Sequence, residues 1–221
     1  MYKRQSQSIS YIQNRDNKPN KALKLFSNSV VEYPGNHDIL NFKDQAEFSI
    51  SFWWKAEDLG HSNGERYWMF GKRGAYRFFN EENRKLLFLY NGSGQGTEVN
   101  GGVNSNIWND GGWNHGVITA KTRVNSGSDT TDFKLYINGT EVEYSHHSAE
   151  PYSLLTGGKI TMLDDPLHLG LDGYVETAQS GSTYQGGIDD LTFHQKALSP
   201  YLPFVILVQE RQQRIFPVAL I

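Results

Sequence analysis

The chain contains no cysteine in its 221 residues. This absence excludes disulfide scaffolds, cysteine nucleophiles and thiolate metal sites. The sequence also lacks any run of about 18 apolar residues, the length that a membrane-spanning helix needs, and its N-terminus has no apolar signal core. The lack of cysteine does not decide the compartment. An extracellular protein with this sequence would take its export signal from elsewhere or be carried on a virion.

An excess of charge of one sign is lacking as well. Lys and Arg number 21 and Asp and Glu number 24, which gives a net charge of −3. The basic residues are scattered and form no run mixed with aromatic residues, the pattern that nucleic-acid-binding proteins carry. Nucleic acid is therefore not expected as a partner.

Helical periodicity is nearly absent, whereas the composition suits strands. Aromatic residues make up 13% of the chain and glycine occurs 22 times, which is typical of short strands joined by many turns. Short strand-like segments recur at a spacing of about 8–12 residues. Asn138-Gly139 is the strongest hairpin signal in the sequence. These features predict an all-β protein, a two-sheet antiparallel β-sandwich.

The clearest predicted strand runs from Phe48 to Lys55. Side chains alternate between the two faces of a strand, so one face of this segment is entirely apolar and the other combines serine, tryptophan and lysine. The apolar face predicts the core between two sheets. The other face, with Ser49, Ser51, Trp53 and Lys55, is expected to look toward solvent or a groove.

Four segments occur in a fixed order along the chain. They are Phe48-Ser-Ile-Ser-Phe-Trp-Trp54, Trp113-Asn-His-Gly-Val-Ile-Thr119, Phe133-Lys-Leu-Tyr-Ile-Asn-Gly139 and Tyr184-Gln-Gly-Gly-Ile-Asp-Asp-Leu-Thr-Phe-His-Gln-Lys-Ala-Leu-Ser199. Together they resemble the laminin-G-like, concanavalin A-like lectin (glucanase) family over about residues 20–199. The resemblance implies a concanavalin A-like jelly roll, a fold that usually binds ligands rather than transforming them.

We expect three parts in the chain: a flexible leader over residues 1–20, the sandwich over 21–199 and an atypical tail over 200–221. Met1-Tyr-Lys-Arg-Gln5, read back into codons, matches the end of an adaptor used in DNA library preparation. We interpret it as a scar in a gene fragment assembled from environmental DNA, with a basic disordered leader as the alternative. The tail is a linker, an added edge strand or a frameshifted stretch.

Two adjacent carboxylates, Asp189 and Asp190, lie in the last of the four segments, and Asp189 is a candidate metal ligand. In the resembling family the first aspartate of the Gly-x-Ile-Asp-Asp segment commonly helps to hold calcium. The resemblance therefore implies a Ca²⁺ ion with Asp189 and Asn28 as side-chain ligands, and calcium takes about six to eight oxygen ligands. The alternative is that Asp189 caps backbone amides without a metal. Asp190 is expected to face the other way, into solvent.

Aromatic side chains are candidates for sugar binding, because sugars present C–H patches that pack on rings while polar neighbours hold the hydroxyl groups. An isolated tryptophan in the polar loop over residues 91–112 has little other reason to be there, so Trp108 carries the strongest prediction. Core packing is the alternative for the other rings. The predicted ligand-binding residues are Trp108, Trp53, Tyr76, Arg77 and Asn80.

No carboxylate pair matches the catalytic arrangement of a retaining glucanase, which needs two carboxyl groups about 5–5.5 Å apart. We therefore predict no catalytic residues. The sequence predicts a non-catalytic module that binds a carbohydrate or cell-surface ligand within a larger extracellular, adhesin or phage-fibre protein, located outside the cell, on its surface or on a virion. A structural spacer or decorating domain without a ligand, and a divergent glucanase-type hydrolase, are the alternatives.

Overall fold

The computed structural model describes residues 9–42, 47–57, 67–72, 76–81, 85–92, 95–101, 111–123, 130–142, 144–146, 165–170 and 184–198. Within these residues it contains one short helix, α1 (Asp38–Asn41), and fourteen strands. The strands are β1 (Ser10–Ile12), β2 (Ala22–Leu25), β3 (Val31–Tyr33), β4 (Glu47–Ala56), β5 (Tyr67–Lys72), β6 (Tyr76–Glu81), β7 (Lys85–Gly92), β8 (Gln95–Gly101), β9 (Asn114–Arg123), β10 (Thr130–Ile137), β11 (Thr140–Glu141), β12 (Tyr144–His146), β13 (Leu167–Leu169) and β14 (Gly186–His194).

The strands form two antiparallel sheets, which confirms the predicted sandwich. In the described residues the first sheet has the order β1-β2-β14-β4-β9-β10-β11, and the second has the order β12-β8-β7-β6-β5-β13-β3. Strands distant in sequence are neighbours, since β14 lies between β2 and β4. The first sheet therefore brings together residues from the beginning, middle and end of the described chain. No helix among the described residues is long and apolar enough to cross a membrane.

The core lies between the sheets and is rich in aromatic rings. The inner face of β4 is fully buried, as its alternation predicts. Phe52 makes edge contacts with Phe70 of β5 at 5.1 Å and Phe78 of β6 at 4.5 Å between ring centroids. Such aromatic pairs contribute about 0.5–1.5 kcal/mol beyond the burial of their area. These contacts hold the two sheets face to face.

The hairpin prediction at Asn138-Gly139 agrees with the structure. Ile137 of β10 pairs with Thr140 of β11, so the two residues form a two-residue loop. Their φ angles are 49° and 82°, as a type I′ turn requires at both central positions.

The predicted flexible leader is wrong for the described residues 9–20. Ser10–Ile12 forms β1, which pairs with β2 at the edge of the first sheet. The turn that follows is closed by Asn14, whose Oδ1 accepts hydrogen bonds from the backbone N–H groups of Asp16 and Lys18 at 3.1 and 2.9 Å. A polar side chain that satisfies the turn's own backbone can order a segment without apolar periodicity.

The outer face of the first sheet is covered at one end. Ser49 of β4 is fully buried there, its Oγ donates to the carbonyl of Lys196 at 2.9 Å, and it accepts from the N–H of Leu198 at 2.8 Å. The chain after β14 therefore crosses this end of the face. The opposite end, around Trp53, remains partly exposed.

Candidate ligand-binding site

A row of three side chains crosses the outer face of the first sheet. Trp53 of β4 pairs with Asp189 of β14 on one side and with His115 of β9 on the other. The neighbours of Trp53 on its own strand, Phe52 and Trp54, point into the core. The alternation of β4 thus directs Trp53 outward into a polar neighbourhood.

A β-bulge in β14 places both aspartates on this outer face. Asp189 pairs with Trp53 and Thr192 pairs with Ser51, so β14 has one residue more than β4 across this stretch. The additional residue is Asp190, whose φ is 43°. A bulge interrupts the two-residue alternation of a strand. The prediction that Asp190 faces away from Asp189 is wrong for this reason.

Arg15 bridges the two aspartates. Its Nη1 lies 2.8 Å from Oδ2 of Asp189, and its Nη2 lies 2.7 Å from Oδ2 of Asp190. Its guanidinium carbon also lies 4.8 Å from the centroid of the Trp53 ring. The turn after β1, ordered by Asn14, delivers Arg15 to this position. We call these residues, Arg15, Asp189 and Asp190, the arginine clasp.

Burial and charge shift two pKa values in this row. The pKa of Asp189 rises from 3.8 to about 6, mainly because of desolvation and then because of Asp190, while Arg15 opposes the rise. The pKa of His115 falls from 6.5 to about 4, mainly through desolvation and then through the positive charge of Arg15. At neutral pH the imidazole is therefore uncharged, and its Nε2 lies in a hydrogen bond with Ser51 Oγ at 3.0 Å.

Trp53 is already in contact with protein groups. Its ring stacks on His115 with centroids 4.7 Å apart and an angle of 26° between the ring planes, in addition to its contact with Arg15. The ring thus lies between the imidazole and the guanidinium and remains partly exposed, and its role in ligand binding stays a prediction.

Trp113, which the sequence analysis does not select, lies close to this row of side chains. It is partly exposed, and Asn114, the next residue, pairs with Trp54 at the start of β9. A Cβ built on Gly187 would lie 2.7 Å from Cη2 of Trp113. The indole therefore lies against the glycine backbone of β14, two residues before Asp189. The sequence feature that could have indicated this contact is Gly187, a residue without a side chain two positions before Asp189.

Residues 28–201 match the family model described as the concanavalin A-like lectin/glucanases superfamily. The chain belongs to this superfamily. No curated protein matches it.

Solved structures similar to this concanavalin A-like chain include botulinum neurotoxin binding domains. The receptor binding domain of the mosaic serotype C/D toxin has 17% identity and a TM-score of 0.58, with 90% of this chain and 43% of that chain covered. A type C toxin structure, described by the dependence of cell entry on two ganglioside molecules, has 16% identity and a TM-score of 0.55, with coverages of 89% and 44%. The DC toxin binding domain in complex with SialylT has 16% identity and a TM-score of 0.54, again with coverages of 89% and 44%.

At these identities the likeness shows the fold. The chain spans less than half the length of those toxin chains.

Of the predicted ligand-binding residues, the three whose side chains the structure describes, Trp53, Tyr76 and Arg77, do not converge. Tyr76 is fully buried in the core, where its hydroxyl donates to the carbonyl of Leu40 at 3.4 Å. A ring without exposed surface cannot stack on a sugar, so this prediction is wrong. Burial also raises the pKa of the Tyr76 hydroxyl well above its usual value.

The other predicted positions are divided between the two sheets. Arg77 lies on β6 of the second sheet, with its guanidinium carbon 5.7 Å from the Trp68 ring, whereas Trp53 is on the first sheet. Asn80 also belongs to β6, and its side chain lies outside the described part of the structure. Trp108 lies outside the described residues, and its role stays a prediction.

The residues proposed for calcium do not fit the ion in this arrangement. The carboxylate of Asp189 already binds the Arg15 cation. Asn28 lies in the turn beyond β2, whereas the register from Ile188↔Leu23 places Asp189 level with Ala22, six residues earlier. Among the described residues, no group of three or more His, Asp or Glu side chains is placed to hold a metal. Calcium remains a sequence-based prediction.

Proposed function

We propose that the chain is a non-catalytic binding module that recognises a carbohydrate or glycosylated cell-surface ligand through the outer face of its first sheet. The supporting observation is the partly exposed arginine clasp beside two tryptophans. Arg15 and Asp190 keep 25% and 23% of their side-chain surface exposed. Charged groups fixed next to aromatic surface can orient hydroxyl groups against an apolar wall.

The two carboxylates of the clasp support binding better than hydrolysis. A retaining glycosidase needs one carboxyl group free to act as a nucleophile and another free to act as an acid. Both carboxylates here instead bind one guanidinium. A fixed cation of this kind stabilises the ionised forms and holds them in place. The chain is proposed to act within a longer extracellular, adhesin or phage-fibre protein.

The test is a glycan array probed with the whole chain, followed by titration of the strongest glycan. Asp190→Asn removes one charge at the exposed edge of the clasp and keeps the shape of the side chain. It should weaken binding about 10-fold, the cost of losing one charge-assisted hydrogen bond. Glu141→Gln is the matched control, because Glu141 also pairs with a cation, Lys134, but on β11 at the far edge of the sheet.

Three results would contradict the proposal. They are the absence of binding to any glycan, equal loss of affinity in both variants, and release of reducing sugar from a β-glucan above a blank without protein. The last result would instead favour the glucanase alternative. Each variant is first compared with the wild type by circular dichroism, so that a loss of binding is read only from folded protein.

A further inference from the structure

Trp113 is partly exposed, and the tip of its indole contacts Gly187, two residues before Asp189 of the arginine clasp. Gly187 of β14 lies in a row of paired residues across the outer face, between Lys24 of β2 and Lys55 of β4. Continuation of the β4–β9 register places Trp113 level with Lys55. The tip of its indole nevertheless reaches Gly187 of β14, so the Trp113 side chain extends across β4 toward β14.

The tip of the Trp113 ring contacts the backbone at Gly187, where no side chain is in the way. A Cβ at this position would lie 2.7 Å from Cη2 and 3.2 Å from Cζ2 of Trp113, and 3.0 Å from Cδ1 of Ile12. Real side chains do not approach so closely, so any larger residue would lift the indole. The absence of a side chain at Gly187 therefore determines how the ring lies on the sheet.

The Asn138 turn fixes the backbone that carries Trp113. Asn138 Nδ2 donates to Asn114 Oδ1 at 2.9 Å, and the N–H of His115 donates to Asn138 Oδ1 at 2.9 Å. The N–H of Asn138 also donates to the carbonyl of His115 at 2.9 Å. A ring held before the ligand arrives costs less conformational entropy on binding.

The charged groups around Gly187 and Asp189 on the outer face include equal numbers of cations and anions. Lys24 pairs with Glu57, and Arg15 uses Nη1 and Nη2 on Asp189 and Asp190. With Lys55, these groups comprise three cations and three anions. An anionic sugar would therefore find the guanidinium already occupied by carboxylates and would be repelled by Asp190.

We propose that the indole of Trp113, held against Gly187, is the stacking subsite for an uncharged pyranose. The hydroxyl groups of this sugar face the arginine clasp. This inference rests on the proposed function and adds the residue and the ligand class. The apolar face of the sugar lies on the indole. The Asp190 carboxylate accepts a hydrogen bond from a hydroxyl group, which an uncharged sugar provides without repulsion.

The experiment measures binding to pairs of glycans that are identical except for a terminal sialic acid, with the wild type, three variants of the proposed subsite and one control variant. Trp113→Ala should lose about 10-fold or more in affinity, as expected for a tryptophan at the centre of a binding site. Trp113→Phe should lose less because a ring remains. Gly187→Ala should weaken binding with the indole still present. Tyr11→Ala is the control, because Tyr11 is an exposed aromatic residue on the edge strand β1.

The outcomes separate this inference from the proposed function. Glycan binding that survives Trp113→Ala and Gly187→Ala in folded protein would overturn the subsite and leave the binding module standing. Tighter binding of the sialylated member of each pair would overturn the ligand class. No binding to either member would overturn both proposals. Melting curves identify any variant that fails to fold, and Trp113→Phe then carries the test.

Discussion

The two faces of β4 differ in what holds their side chains in place. Trp54 is fully buried in the core. The preceding residue, Trp53, lies on the outer face between the imidazole of His115 and the guanidinium of Arg15. On the inner face the contacts are between apolar rings and depend on shape. On the outer face they are hydrogen bonds and ion pairs, which depend on direction and on protonation.

This difference separates stability from recognition. Removal of an inner ring leaves a cavity, because a close-packed core relaxes only partly. Removal of an outer group leaves charges that water can partly satisfy. The inner face should therefore dominate the free energy of unfolding, and the outer face should dominate its dependence on pH and the binding of ligands.

The largest expected effect comes from Phe52→Ala on the inner face. Phe52 contacts rings of two strands of the opposite sheet, so its loss opens the space between the sheets. The free energy of unfolding should fall by about 3–5 kcal/mol, measured by urea denaturation. Ser51→Ala, on the outer face of the same strand, should cost about 1 kcal/mol, the value of its hydrogen bond to His115. Equal losses in the two variants would contradict the comparison.

The second effect is a pair of opposite pH dependences within the outer row. His115 has a folded pKa of about 4, below its usual 6.5, so its contribution to stability is present above pH 6.5 and is lost as the pH falls toward 4. Asp189 has a folded pKa of about 6, above its usual 3.8, so its contribution is present at low pH and is lost as the pH rises through 6. Each amounts to about 3 kcal/mol.

The two contributions nearly cancel in the wild type, and single variants should reveal them. The difference in unfolding free energy between the wild type and His115→Gln should rise between pH 4 and 6.5. The difference between the wild type and Asp189→Asn should fall between pH 4 and 6. Urea denaturation at pH 4, 5, 6 and 7 measures both, and subtraction removes the titrations that the proteins share. Profiles with the same slope would show that one of the pKa directions is wrong.

The features that the sequence predicted correctly depend on residues that are neighbours in the chain. The alternation of β4 and the Asn138-Gly139 turn depend on residues that are adjacent in the chain, and both predictions agree with the structure. The position of Asp190 could not be read in this way, because a bulge depends on the register with a partner strand. Tyr76 was predicted as a stacking ring because of its residue type, with core packing as the alternative, and its side chain points between the sheets.

The site itself depends on contacts between distant parts of the chain. Arg15 and Asp189 are separated by 174 positions, and Trp113 reaches Gly187 across an intervening strand. No local pattern carries that information. The family resemblance drew attention to Asp189, and the structure supplies a guanidinium as its partner.

A smaller effect on stability than those of Phe52 and of the pH dependence concerns that guanidinium. Arg15→Ala should lower the unfolding free energy by about 1–2 kcal/mol, because two partly exposed charge-assisted hydrogen bonds are lost and two carboxylates are left side by side. Arg15→Lys keeps the charge but cannot bridge two carboxylates with a planar fork, so its loss should be intermediate. Thermal melting at neutral pH measures both. A stability of Arg15→Ala equal to that of the wild type would show that the clasp does not hold the N-terminal segment.

Thermal melting with and without calcium tests whether Asp189 and Asp190 form an ion pair with Arg15 or a metal site. In the wild type the melting temperature should be the same with calcium and with a chelator, because Arg15 already binds both carboxylates. An ion at about 100 times its dissociation constant would instead add about 2.7 kcal/mol, which a melting curve detects readily. In Arg15→Ala the freed carboxylates can attract a cation, so any calcium effect should appear there first. Stabilisation of the wild type by calcium would mean that the ion binds through residues other than this pair.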